Sequence, residues 1–165
     1  MQRIVLTGMP ASGKSRLARA VQAAFGYPIL EKDRIKEELF DTLGFRSYAE
    51  KRALDHAANA VLLQELEALL KNGSGAIVDN NFDGPAAERL KRLVEIYHPA
   101  WVTVQLTGDP QVFYQRYIRR DAAARRHIGH RGQPRVGLQL RRLHQPGSDP
   151  GQRLRTAPAH ADRAR

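Results

Sequence analysis

Eight residues near the start constrain this chain more than anything else in it: Gly8-Met9-Pro10-Ala11-Ser12-Gly13-Lys14-Ser15. They fit the phosphate-loop pattern G-x-x-x-x-G-K-[ST] without departure. The flanks suit the pattern. Arg3-Ile4-Val5-Leu6-Thr7 reads as a short buried strand entering the loop, and the residues from Ser15 to Val21 read as a helix leaving it. Gly8 and Gly13 let the backbone curl so that N–H groups point inward onto phosphate oxygens, where a side chain would crowd a nucleotide. The helix that follows turns its positive end toward the same anion. Lys14 is a point charge for the outer phosphates, and Ser15 offers a hydroxyl to Mg²⁺. The expectation is a nucleotide site built from Gly8, Met9, Pro10, Ala11, Ser12, Gly13, Lys14 and Ser15, with Arg16 beside it.

The rest of the chain alternates strands with helices. Tyr27–Leu30, Gly75–Asp79 and Trp101–Leu106 read as further strands. Asp33 to Phe40 reads as a short helix. A long helix follows, in which Leu54, Ala57, Ala58, Val61, Leu62, Leu66, Leu69 and Leu70 recur at helical spacing before the stop Asn72-Gly73. Asp83 before Pro85 and Asp109 before Pro110 are helix openings, and the last helix should turn Val112, Phe113, Tyr117 and Ile118 inward. Such alternation predicts an α/β fold: a parallel sheet covered on both faces, with ligands at the carboxyl ends of its strands. The phosphate loop, Asp33 and Asp79 all follow strands and should converge there.

Composition sets limits on this reading. With 165 residues and 42% hydrophobic content the chain can build one core. It has no cysteine, which excludes disulfides and thiolate chemistry and fits a reducing cytosol. The first strand leaves no room for a signal peptide, and no apolar run reaches membrane length, so a cytoplasmic protein without a membrane partner is expected. The net charge of +10 is uneven, since residues 131–165 hold eight Arg and only two Asp. From about Gly129 the chain contains no Lys, Glu, Ile, Phe, Trp or Tyr. That stretch is expected to be a disordered or weakly helical basic tail, and its abrupt change of composition is what a reading-frame change in a GC-rich gene would leave. The division is a domain over 1–130 and a tail over 131–165.

Four groups beyond the loop could carry chemistry. Asp79, ending an apolar strand, can hold Mg²⁺ beside Ser15. Asn80 and Asn81 after it can reach a phosphate or simply form a turn. Asp33 can accept the proton of an attacking hydroxyl, although taken alone it reads first as a helix N-cap, and Lys36 lies one turn further along. Arg116, Arg119, Arg120, Arg125 and Arg126 form a basic run in which Arg116 and Arg120 share a helix face, suited to a lid over transferring phosphate. His127 and His130 have no carboxylate beside them in the sequence, so metal ligation is not expected of them.

With these residues placed, roughly residues 2–130 resemble the small P-loop kinases of the polynucleotide 5′-kinase, zeta-toxin and chloramphenicol-phosphotransferase type. Members carry GxPxSGKS after the first strand, an aspartate with an arginine three residues on, a strand ending D-x-N, and an arginine-rich lid. The corresponding residues here are Gly8 to Ser15, Asp33 with Lys36, Asp79-Asn80-Asn81, and Arg116 with Arg120. Arg126-His127-Ile128-Gly129-His130 is similar to an RHxGH element of bacterial relatives. The resemblance implies a three-layer kinase-like sandwich in which Lys14 and Ser15 hold Mg·ATP. It also implies Asp33 as general base, Asp79 at the metal or acceptor, and Arg120 with Arg116 at the phosphates. Two departures stand out. Lysine replaces the usual arginine at position 36 and cannot contact an acceptor phosphate in a bidentate way. No fifth strand is evident to complete the sheet.

The sequence therefore leads to the expectation of an ATP-dependent phosphotransferase acting on a hydroxyl of a small molecule or nucleotide. A polynucleotide 5′-hydroxyl is the next acceptor to consider. The alternatives are a nucleotide-binding module with little or no hydrolysis, and a basic nucleic-acid-binding protein working through its tail.

Overall fold

The structure, a computed structural model, describes residues 2–122 together with His127 and His130. The basic tail from residue 131, Arg125 and Arg126 lie outside the described residues. The elements in chain order are β1 (Arg3–Gly8), α1 (Lys14–Phe25), β2 (Ile29–Glu31), α2 (Lys32–Leu43), α3 (Tyr48–Lys71), β3 (Ala76–Asp79), α4 (Gly84–Tyr97), β4 (Trp101–Leu106) and α5 (Pro110–Ala122).

Alternation along β1 sorts the helices into two layers. Ile4 and Leu6 face one side and, with Ile77 of β3, pack on Ala18, Leu17 and Val21 of α1. Val5 faces the other side. There it joins Leu30, Ala76 and Val78 against Leu62, Leu63, Leu66 and Leu70 of α3 and Leu90 and Leu93 of α4. The result is a helix–sheet–helix sandwich, the three-layer architecture the sequence leads to. All strand pairs are parallel, in the order β2-β3-β1-β4. The register aligns Leu6 with Asp79, Asp79 with Glu31, and Gly8 with Leu106, so the phosphate loop and two carboxylates share one edge of the sheet. Among the described residues no helix is long and apolar enough to cross a membrane.

Helix ends follow local chemistry. Ser47 Oγ accepts the Glu50 N–H at 3.1 Å, and Glu50 Oε2 accepts the Arg46 N–H at 2.6 Å. This capping arrangement starts α3 six residues before Leu54, where the apolar periodicity begins. At its far end the Gly73 N–H donates to Leu70 and the Ser74 N–H to Leu69, as the Asn72-Gly73 stop predicts. Asp83 occupies the N-cap position of α4, but its side chain makes no cap bond. Asp109 does cap α5, its Oδ1 accepting the Gln111 N–H at 2.8 Å.

Two expectations are corrected at the β4 side. Of the residues read as the inner face of α5, Phe113 is buried, but Val112 and Ile118 are exposed. Coverage of the sheet on both faces also fails there, because Val102, Thr103 and Gln105 of β4 are exposed. Both have one cause: among the described residues β4 is an edge strand, and α5 packs over its end through Phe113 against Gly108.

Candidate functional site

The loop between β1 and α1 is held from inside and out. Gly13 sits at φ 100° and Ala11 at φ 62°, a left-handed conformation that costs an alanine about 1–2 kcal/mol. The Ser12 N–H closes the loop on the Met9 carbonyl at 3.2 Å. Lys14 folds back so that its ammonium donates to the Gly8 and Met9 carbonyls at 3.0 and 3.1 Å. Gly8 is required for a reason the sequence did not disclose. A Cβ there would lie 2.6 Å from the Leu106 carbonyl of β4, so the scaffold excludes a side chain before any nucleotide does.

The loop fits a phosphate-bearing ligand on two counts. Ser12 Oγ is buried and has no hydrogen-bond partner among the described residues, an unmet polar group of the kind a ligand satisfies. The first N–H groups of α1, starting at Lys14, point out of the helix end and lack intrahelical acceptors. Arg16 is exposed on the first turn of α1.

The carboxylates sit as the strand ends place them. Ser15 Oγ donates to Asp79 Oδ2 at 2.9 Å, uniting the two residues expected at Mg²⁺. Burial pushes the Asp79 carboxyl above its ordinary value; the Ser15 hydroxyl and Lys14 offset this in part, and Asp33 adds to it. Glu31 is a site residue that sequence reasoning missed. It pairs with Asp79 in the β2–β3 register, and burial, then Asp79, pushes its carboxyl up against Arg19 and Arg34. A carboxylate directly ahead of a helix reads as a cap; only the register shows it beside Asp79.

Asp33 is not the N-cap. That position belongs to Glu31, and Asp33 lies exposed in the first turn of α2. Its charge acts, as a minor contribution beside burial, on Lys14, Asp79 and Glu31. Burial pushes the Lys14 ammonium below its usual value; Asp79 and then Asp33 hold it up in part, while Arg120 pushes it further down. Of the lid candidates, Arg120 therefore bears on the loop, its guanidinium lying over the Tyr117 ring at 5.9 Å. Arg116 is exposed on α5.

Two residues expected near phosphate have other work. Asn81 clamps the loop entrance: its Oδ1 accepts from Thr7 Oγ1 at 2.9 Å and the Gly8 N–H at 3.1 Å, and its Nδ2 donates to the Gly8 carbonyl at 3.0 Å. Asn80, buried, donates to Asn59 Oδ1 of α3 at 2.9 Å. Lys36 is also engaged. Its ammonium lies 2.8 Å from Asp55 of α3, which also binds Lys32 at 3.2 Å. Burial pushes the Asp55 carboxyl up, but the two ammonium groups outweigh it and hold it below its ordinary value. His127 and His130, read without carboxylate partners, prove to have them across the fold in Asp41 and Glu37 of α2. Among the described residues no group of three or more His, Cys, Asp or Glu side chains could hold a metal ion.

A phosphate loop joining a central parallel strand to its helix, with carboxylates at neighbouring strand ends, defines a P-loop nucleotide-binding α/β domain. A family model described as an AAA domain, AAA_33, matches residues 4–143, and the chain belongs to this family of P-loop kinase architecture. Among solved structures it is similar to a protein assigned as a kinase from Chloroflexus aurantiacus J-10-fl, with 30% identity and a TM-score of 0.75 over 84% of this chain and 76% of that one. A gluconokinase from Sinorhizobium meliloti 1021 shares the fold at 22% identity and a TM-score of 0.52, over 85% of this chain and 73% of that one. A chain of the Pnkp1/Rnl/Hen1 RNA repair complex does so at 19% identity and a TM-score of 0.55, over 73% of this chain and 38% of that one. None of the curated proteins compared with the chain matches it.

Proposed function

We propose that the protein is a kinase that moves the γ-phosphoryl group of ATP to a hydroxyl of a small acceptor that carries no phosphate. The observation that carries this reading is that the charges of Asp33 on α2 and Arg120 on α5 both act on Lys14 of the phosphate loop. A nucleotide-binding module needs the loop. It does not need a carboxylate and an arginine whose charges act on the same lysine.

In this reading the loop amides, Ser12 and Lys14 hold the triphosphate, and Asp33 takes the proton of the acceptor hydroxyl. The oxygen attacks the γ-phosphorus in line and ADP leaves. Lys14 and Arg120, with Arg116 one turn earlier on α5, stabilise the charge on the transferring group. Ser15 and Asp79 would hold Mg²⁺, which when bound neutralises charge on the phosphate oxygens.

The acceptor class rests on Lys36. Its ammonium is already paired with Asp55 and lies 5.4 Å from the centre of the Phe40 ring, so it is not free to neutralise an acceptor phosphate. This favours a sugar-like or other hydroxylated small molecule over a nucleic-acid end. That one structural neighbour is a gluconokinase agrees with it.

The test is transfer of label from [γ-³²P]ATP across a panel of polyols, sugars, aminoglycoside and phenicol antibiotics, nucleosides and 5′-hydroxyl oligonucleotides, with Asp33→Asn as control. Labelling of a small molecule that carries no phosphate by the wild type, and loss of about 10²–10⁴ in rate in the variant, is the expected result. Labelling of the oligonucleotide alone would overturn the acceptor class. Binding of Mg·ATP with no transfer to any acceptor would leave a nucleotide-binding module.

A further inference from the structure

Helix α2 carries carboxylates at Asp33, Glu37 and Asp41. A spacing of four residues is just over one turn, so the three line one side of the helix. The last turn of α2 holds no basic residue, and Asp41 therefore adds negative charge where the helix dipole already ends negative. An isolated helix with this pattern lacks a cation at its carboxyl end.

Two imidazoles face these carboxylates. His127 Nε2 lies 2.8 Å from Asp41 Oδ1, and His130 Nε2 lies 2.9 Å from Glu37 Oε1. Both belong to one turn, closed by the His130 N–H donating to the His127 carbonyl at 3.0 Å. The spacings agree: residues four apart on a helix are separated by about 6 Å along its axis, and the two imidazole centroids are 6.1 Å apart. The His127 ring also lies nearly parallel to buried Phe40, 11° between planes at 6.2 Å. The histidine side chains are 18% and 13% exposed, against 69% and 42% for Asp41 and Glu37, so the turn is the buried partner of the contact. The turn runs antiparallel to α2, with His130 one helical turn nearer to Asp33 than His127.

We propose that the His127–His130 turn is a clamp on α2. Its two imidazoles grip Asp41 and Glu37, and so tie the helix that carries Asp33 to the chain that leaves the arginine helix α5. Asp33 and Arg120 stand on these two helices and must hold one relative geometry across the phosphate loop. His127 and His130 touch no reacting atom in this scheme; they are positioning residues. The kinetic part of the proposal rests on the phosphotransfer reading, and the structural part does not.

The test uses the full chain and reads two quantities. The first is the rate of tryptic cleavage after Arg125, Arg126 and Arg131, followed by mass spectrometry, with a melting curve of each variant to confirm that it is folded. His130→Ala and Glu37→Ala should each speed cleavage roughly tenfold, as expected for loss of one hydrogen bond to a charged group. The double variant should be no faster than either single one, because both remove the same bond. His127→Ala and Asp41→Ala should behave in the same way. His130→Gln, whose amide can donate from nearly the position of Nε2, should stay near wild type. The second quantity is kinetic: His130→Ala should lower kcat roughly tenfold while leaving KM for ATP within about twofold, as for loss of an interaction that matters only in the transition state. Equal cleavage in wild type and variants, or additive effects in the double variants, would overturn the clamp. An unchanged kcat alongside altered cleavage would overturn its positioning role. If no acceptor is ever labelled, the kinase reading fails while the cleavage result still decides the clamp.

Discussion

Lys14 shows what burial does to a phosphate-binding cation before any phosphate arrives. Its ammonium is desolvated and held, among the described residues, by two loop carbonyls, so an incoming anion gains a partner that water cannot solvate fully. Mg·ATP at about 100 times its Kd should raise the melting temperature of the wild type by about 5–10 °C. In Lys14→Ala that rise should be lost, as differential scanning fluorimetry would read directly. Asp79 carries the matching cost on the other side. A carboxyl whose folded value is raised favours folding while protonated, and that contribution is lost as pH climbs from the ordinary aspartate value of 3.8 through the raised one. Ligand-free Asp79→Asn should therefore melt at or above the wild-type temperature at pH 7, with a flatter pH profile, because the amide can still accept from Ser15. The same variant should lose transfer activity. A fall in its ligand-free stability at neutral pH would contradict the burial argument.

At the scale of elements, what could be read in advance depended on how local the signal was. The phosphate loop, β1, β3, β4 and the stop after α3 are written in adjacent residues and stand where the sequence puts them, whereas β2 runs over Ile29–Glu31 instead of starting at Tyr27. The first turns of α3 are nearly all exposed and carry no apolar period; their signal was the Ser47-x-x-Glu50 cap instead. Glu31 could not be read at all and Asn81 only as a polar residue after a strand, because their roles exist only once β3 lies between β2 and β1. Asn81 grips both polar groups of Gly8 from the end of β3, and Asn81→Ala should weaken Mg·ATP binding by about tenfold, measurable by calorimetry. The α2–α3 contact yields a prediction of its own. Asp55→Asn leaves Lys32 and Lys36 without their carboxylate and should cost about 1 kcal/mol at pH 7. It should also shift acceptor preference toward phosphorylated compounds, and an unchanged preference would detach Lys36 from the acceptor site.

Over the whole molecule the two helical layers are unequal. The α3–α4 side holds the larger core cluster, with Leu62, Leu63 and Leu66 almost fully buried, and Leu66→Ala there should cost about 2–5 kcal/mol in denaturant unfolding. The opposite weakness lies at β4, an edge strand among the described residues, where Val102 on the strand and Val112 and Ile118 on α5 are exposed. A flat apolar edge invites pairing with another chain. Val102→Lys should lower concentration-dependent light scattering without changing nucleotide binding.

The contact between Gly8 and the Leu106 carbonyl reaches beyond catalysis. The first glycine of the loop answers to the neighbouring strand, not to the nucleotide. A descendant of this chain that had lost all chemistry, but kept its sheet, would still be held to glycine at that position. The second glycine answers to a backbone angle, and Lys14 answers to a ligand. Of the three signature residues, the lysine is the one whose disappearance would mark a retired enzyme, while the first glycine would persist as an imprint of the scaffold.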